Sequence, residues 1–93
     1  MPRHMFVLCA SVGEYSDRME WRIALYEIEA RAIDAKEALA RRWAEATTPR
    51  GDEDTYDARE RAAPSFPEFY AAGERCSYGA DPRMWVETVE VRQ

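Results

Sequence analysis

Four carboxylates crowd into six positions at Asp52, Glu53, Asp54 and Asp57, with Tyr56 among them. Carboxylates spaced this closely repel one another unless a base or a partner neutralises them, and an aromatic ring beside them offers an anchor for a protein surface. The pattern therefore has two readings: a solvated loop that aids solubility, or a recognition element for an Arg-rich surface on another protein. A second group lies in Gly13-Glu14-Tyr15-Ser16-Asp17-Arg18. Gly admits positive φ, and Ser16 and Asp17 can accept from nearby backbone N–H groups, so the hexapeptide is a turn in which Tyr15 and Arg18 are available as contact residues. A third set suits a phosphate and a base: Arg18, Arg22 and Arg83 can grip an anion bidentately, and Trp21, Tyr78 and Trp85 can stack on a ring, unless those tryptophans are spent on the core.

Other chemistries lack their parts. Ser16 sits beside Asp17 with no His within sequence reach, so no activated nucleophile is expected and the chain is read as non-enzymatic. The sole His is His4, and Cys9 and Cys76 are too far apart for CxxC spacing, so neither a metal site nor a disulfide framework is expected. Neither GxGxxG nor GxxxxGK[ST] occurs, and no cofactor is expected.

Charge argues in the same direction. The first 50 residues hold eight acids and eight bases, whereas residues 51–93 hold ten acids and five bases, so the whole net charge of -5 lies in the second half. Such a balance is unsuited to direct nucleic-acid binding. Arg31, Arg41 and Arg42 are interleaved with Glu37 and Glu45, which makes a mixed, solvated helix face and not a membrane-binding one. The apolar run 5–10 is far shorter than a secretory or spanning segment, so a soluble cytoplasmic protein is expected.

These residues must be positioned by a small number of elements. A chain of 10.8 kDa should bury about 65% of its unfolded surface, enough for one domain with one modest core built on its aromatic residues. The run MFVLCASV over 5–12 is apolar and partly β-branched, and Gly13 ends it, which predicts a buried strand. Residues 20–33 admit two readings. Trp21, Ile23 and Leu25 alternate as in a strand, and the parity then switches to Tyr26 and Ile28, as a β-bulge near Leu25 and Tyr26 would produce. The rival is one long helix from Asp17 to Ala46, opened by a capping box of Asp17 and Glu20.

Further along, Asp34 and Glu37 form a capping box, and Ala35, Ala38, Leu39, Trp43 and Ala46 share one face, predicting a helix over 35–47. Pro49 and Gly51 end it, and 51–63 reads as a loop with one helical turn around 56–61. Ser65 and Glu68 suggest a third capping box and a short helix over 66–72 with Phe66, Phe69 and Tyr70 facing inward. Gly79, Asp81 and Pro82 mark a turn, and 84–91 alternates as a strand. The expected fold is α+β, a single domain with a small antiparallel sheet of about three strands packed against one main helix and one short helix.

The apolar first strand, the GEYSDR turn, the second strand, the helix led by Ile33-Asp34-Ala35-Lys36-Glu37-Ala38 and the terminal WVETVEV together resemble a group of small proteins of tailed phages and bacterial genomes. That group shares a G-x-YSD turn and a final strand like YVEEVEL. The resemblance covers residues 5–46 and 84–91, whereas 48–83, with the acidic cluster, has no counterpart in it. It implies an α+β fold and a mobile-element origin, and it transfers no activity. The expectation is a small binding protein that inhibits or modulates a bacterial host protein, such as a defence protein, through Asp52, Glu53, Asp54, Tyr56, Asp57, Tyr15 and Arg18. The alternatives are a nucleotide-sequestering or sensing protein that uses Arg18, Trp21, Arg22, Tyr78, Arg83 and Trp85, and an accessory subunit of a host complex. A three-stranded sheet also leaves an edge at which a homodimer could form.

Overall fold

The computed structural model describes residues 3–13, 18–70 and 81–91. Three strands, β1 (Arg3–Val12), β2 (Met19–Tyr26) and β3 (Arg83–Val91), form an antiparallel sheet in the order β2-β1-β3. The helical layer consists of α1 (Glu29–Ala46), α2 (Thr55–Ala62), a 3₁₀ turn (Ala63–Ser65) and α3 (Pro67–Tyr70). The α+β arrangement expected from the sequence is the one observed.

β1 is central because it is the most apolar strand, and its two faces have different surroundings. Leu8, Ala10 and Val12 join the core beneath α1, with Phe6 on the same face. Val7, Cys9 and Ser11 point the other way and are nonetheless 4%, 4% and 3% exposed. No described helix lies over that second face, where Cys9 is flanked by Arg22 on β2 and Trp85 on β3.

The strand over 20–33 stops at Tyr26, and its irregularity lies two residues before the expected place. Leu8 pairs with Ala24 and Cys9 with Arg22, so Ile23 is the extra residue. The bulge lets Trp21, Ile23 and Tyr26 all pack against the core while Leu25 turns outward, 60% exposed. The long helix from Asp17 is excluded by the same strand. α1 begins at Glu29, not at Ala35. The amide of Ala32 donates to the Ile28 carbonyl at 3.3 Å, and Ile28 at the N-cap makes no side-chain bond. The Asp34 and Glu37 capping box is therefore not used, since both lie inside a helix already running. Seven alanines and a single β-branched residue in Glu29–Ala46 make helix propensity prevail over the alternation that ends at Tyr26.

Trp43 organises the core. Its ring meets Phe66 at 5.0 Å and Phe69 at 5.2 Å, both edge to face. Its indole N–H donates to Asp81 Oδ1 at 3.0 Å, and the Trp21 indole N–H donates to the Glu68 carbonyl at 3.0 Å. These two bonds fasten the start of β3 and the short α3 to the sheet and main helix, since a buried indole donor needs an acceptor. The expected Ser65 and Glu68 capping box is absent. One Glu68 carboxylate oxygen takes Arg42 at 3.2 Å, and the other is buried without a partner. Tyr70's side chain and residues 71–73 lie outside the described residues.

Candidate functional site

The acidic segment divides into an inward and an outward half. Gly51 adopts φ +56°, turning the chain after α1. The Glu53 carboxylate then accepts from Arg61 Nε at 2.8 Å, from Arg61 Nη2 at 3.1 Å and from the Arg50 amide at 2.8 Å. The Arg61 bond, followed by the backbone bond, holds the Glu53 carboxyl below the usual carboxylate range, and Glu53 in turn raises Arg61. Asp54 Oδ1 accepts the Asp57 amide at 2.8 Å and so caps α2. Glu53 and Asp54 are thus committed to the fold of the segment. Asp52 and Asp57 are exposed and form no ion pair among the described residues, and Tyr56 is 47% exposed between them. The stretch read as a loop with one turn is an eight-residue helix with Ala58 and Ala62 packed beneath it.

The second group of residues sits on the far side of the sheet. Residues directly paired across strands share a face, so the register sets out three rows on the face away from the helices. Leu25, Val7 and Glu87 form one; Arg22, Cys9 and Trp85 the next; Glu20, Ser11 and Arg83 the third. Arg18 reaches over Trp85, its guanidinium carbon 5.8 Å from the ring centroid, and pairs with Glu20. The Trp85 indole N–H donates to Glu87 at 2.8 Å. A shallow groove of about 170 Å³ lies along Cys9, Glu20, Arg22, Trp85 and Glu87. Burial, then the nearby Glu87, pushes the Cys9 thiol up, with Arg22 opposing, so Cys9 stays protonated at neutral pH.

Four of the six residues expected for a nucleotide are therefore brought to one face: Arg18, Arg22, Arg83 and Trp85. Trp21 is not among them, because its ring is in the core and its N–H is bound to α3. Tyr78 and Tyr15 lie outside the described residues, as does the rest of the GEYSDR turn between Gly13 and Arg18. His4 is exposed on β1, and the described residues contain no group of His, Cys, Asp or Glu able to hold a metal. Cys9 is a buried free thiol. No helix among the described residues is long and apolar enough to cross a membrane.

Two residues acquire roles that their positions in the sequence did not announce. Arg42 was expected on a solvated face, yet it pairs with Glu68 and lies over the Phe66 ring at 5.1 Å, tying α3 to α1. Asp81 was expected only as a turn residue; it takes the Trp43 indole and lies 3.8 Å from Arg59. It lines an open groove of about 520 Å³ with Trp43, Ala44, Thr47, Arg59 and Met84, between the end of α1 and the start of β3. A signal for these contacts would have needed knowledge of which distant elements meet.

Compared with known proteins, the chain matches no family model, and neither a curated protein nor a solved structure is significantly similar to it.

Proposed function

We propose that this protein is a non-enzymatic binding protein that engages and inhibits or modulates a bacterial protein through the outer face of its acidic segment. The observation that carries the reading is the division of that segment. Glu53 holds Arg61 and Asp54 caps α2, while Asp52 in the turn before the helix and Tyr56 and Asp57 in its first turn stay exposed, an aromatic anchor between two carboxylates that no described base takes up. Such a surface suits a basic patch on a partner, with the ring supplying the buried contact and the carboxylates the steering. A phage or mobile-element origin, and a host defence protein as target, fit the resemblance of the strands and the G-x-YSD turn.

Arg18, Arg22, Arg83 and Trp85 on one sheet face favour a second reading, a bound nucleotide. Glu20 and Glu87 line the same groove and would repel its phosphates, and the groove is smaller than the ~300–1,000 Å³ usual for ligand pockets. The acidic surface is the stronger proposal.

The test is capture from a bacterial lysate by the tagged chain beside a D52K/Y56A/D57K variant, which leaves both Glu53 and the Asp54 cap in place. A host protein retained by the native chain, lost by the variant and released by raised salt is the expected result. Identical capture by both chains would refute the assignment. A melting temperature raised by nucleoside phosphates in both chains would favour the second reading.

A further inference from the structure

We infer that the face of the sheet away from the described helices is a self-association surface, on which a second copy of this chain packs sheet against sheet about a twofold axis parallel to β1. The floor of this face is nearly dry in the single chain, since Val7, Cys9 and Ser11 are almost fully buried with no described element over them. Around that floor stand the exposed Leu25 and Val91 and the half-buried Met5, Val89 and Trp85. An apolar sheet face of this kind is ordinarily covered by a second layer.

Charge decides what the cover is. Arg18, Arg22 and Arg83 share the face with Glu20 and Glu87, so neither a polyanion nor a uniformly acidic or basic segment is matched to it. The face is instead complementary to itself. Packed sheets lie about 10 Å apart with strands aligned to within about 30°. With the axis parallel to β1, β2 of one copy then lies over β3 of the other at the same level along the strands. Glu20 meets the partner's Arg83, Arg22 meets the partner's Trp85, and Leu25 lies against the aliphatic stem of the partner's Glu87, each contact occurring twice. An axis perpendicular to the strands through the Cys9 row would pair Arg83 with Glu87 but set the charge of Arg22 against itself, which disfavours it.

Strands of about nine residues at ~3.3 Å each, three across at ~4.8 Å, give a plan area on the order of 400 Å². Over the two copies that is ~800 Å², below the ~1,200–2,000 Å² of stable specific interfaces, so the association is weak, reversible and concentration-dependent. α2 packs on α1, in the helical layer on the other side of the sheet. Self-association therefore leaves Asp52, Tyr56 and Asp57 uncovered, and it does not rest on the acidic surface being a binding site.

Sedimentation velocity of the full chain from about 5 to 500 μM tests the inference. The native chain is expected to shift from monomer to dimer. E20R and R83E should each weaken association at least about tenfold, because each places like charges opposite one another twice. An equimolar mixture of the two variants should recover it. The E20R chain carries two bases on that row and the R83E chain two acids, so only contact between chains can restore attraction. A native chain monomeric throughout, reversals without effect, or a mixture no stronger than its components would overturn the inference. Circular dichroism establishes that both variants fold. If either does not, E20Q and R83Q replace them, each expected to weaken association about threefold with partial recovery on mixing, since the mixed dimer keeps one Glu20–Arg83 contact, and unchanged association would overturn it equally.

Discussion

Asp54 separates a structural from a recognition role within a single acidic cluster. Its Oδ1 accepts the Asp57 amide at 2.8 Å at the head of α2, an eight-residue helix that buries only Ala58 and Ala62. A helix so short has little intrinsic stability, so its first turn depends on the cap. Removing an Asp cap costs about 1 kcal/mol, within a range of ~0.5–2, whereas Asn caps as well as Asp. D54A should therefore lower stability by about 1 kcal/mol, and D54N by much less. For a domain of this size the D54A change corresponds to roughly 4–8 °C in melting temperature. With a urea slope of ~1–3 kcal/mol per molar, it moves the unfolding midpoint by roughly 0.3–1 M at constant slope. The same pair of variants bears on recognition. D54N removes a charge but keeps α2 in place, so partner capture should persist; D54A lets the first turn fray and displaces Tyr56 and Asp57, so capture should weaken. Equal destabilisation by both variants would refute the capping argument, and loss of capture by a stably folded D54N would show that the Asp54 charge itself contacts the partner.

Other consequences follow from the core and the titrating groups. F69A removes a fully buried ring that packs on Trp43 and Phe66, and should cost about 3–5 kcal/mol, a large part of the ~5–14 kcal/mol available to 93 residues; chemical denaturation measures it, and a loss below ~1 kcal/mol would contradict the packing. The Glu53 carboxyl is held below its ordinary value, so its stabilisation is complete above the unfolded pKa of about 4.3 and is lost as pH falls through the lower folded value. E53Q should be less stable than the native chain at pH 7, with the gap closing in acid; a gap constant with pH would refute this. Cys9 in a C76S background should react slowly with a thiol reagent until the chain unfolds, because burial keeps it protonated and shielded; native-state labelling at the unfolded rate would count against it.

How much of this was legible in the sequence depended on range. β1, β3 and the inward face of α1 follow from apolar spacing within a dozen residues, and the α+β class follows from them. The junction of β2 and α1 was harder. Tyr26 and Ile28 extended the strand pattern, and the Asp34 and Glu37 pair imitated a helix start, whereas the chain had already become helical at Glu29. A capping signature records only what two side chains could do for each other, and tertiary packing chose an earlier start. The acidic cluster was visible as a cluster, but its internal division was not. Glu53 meets Arg61 eight residues away, Arg42 meets Glu68 across 26, and Trp43 meets Asp81 across 38. Such pairings are set by where elements land on one another, for which local spacing carries no signal.

The placement of β1 between β2 and β3 also dictates the order in which the sheet can be assembled. Only six positions separate β1 from β2, so their pairing needs little loop closure. Tyr26 and Arg83 are 57 positions apart, and at ~5–20 residues per second of synthesis the interval between them lasts about 3–11 s. Throughout it, the second hydrogen-bonding edge of β1, from Arg3 to Ser11, has no strand to satisfy it. The most apolar strand of the molecule is thus the one left half-paired on the ribosome, a template for mispairing with neighbouring nascent chains. Slow production of the last strand, by rare codons or cold, should cost soluble yield out of proportion to the stability of the finished fold.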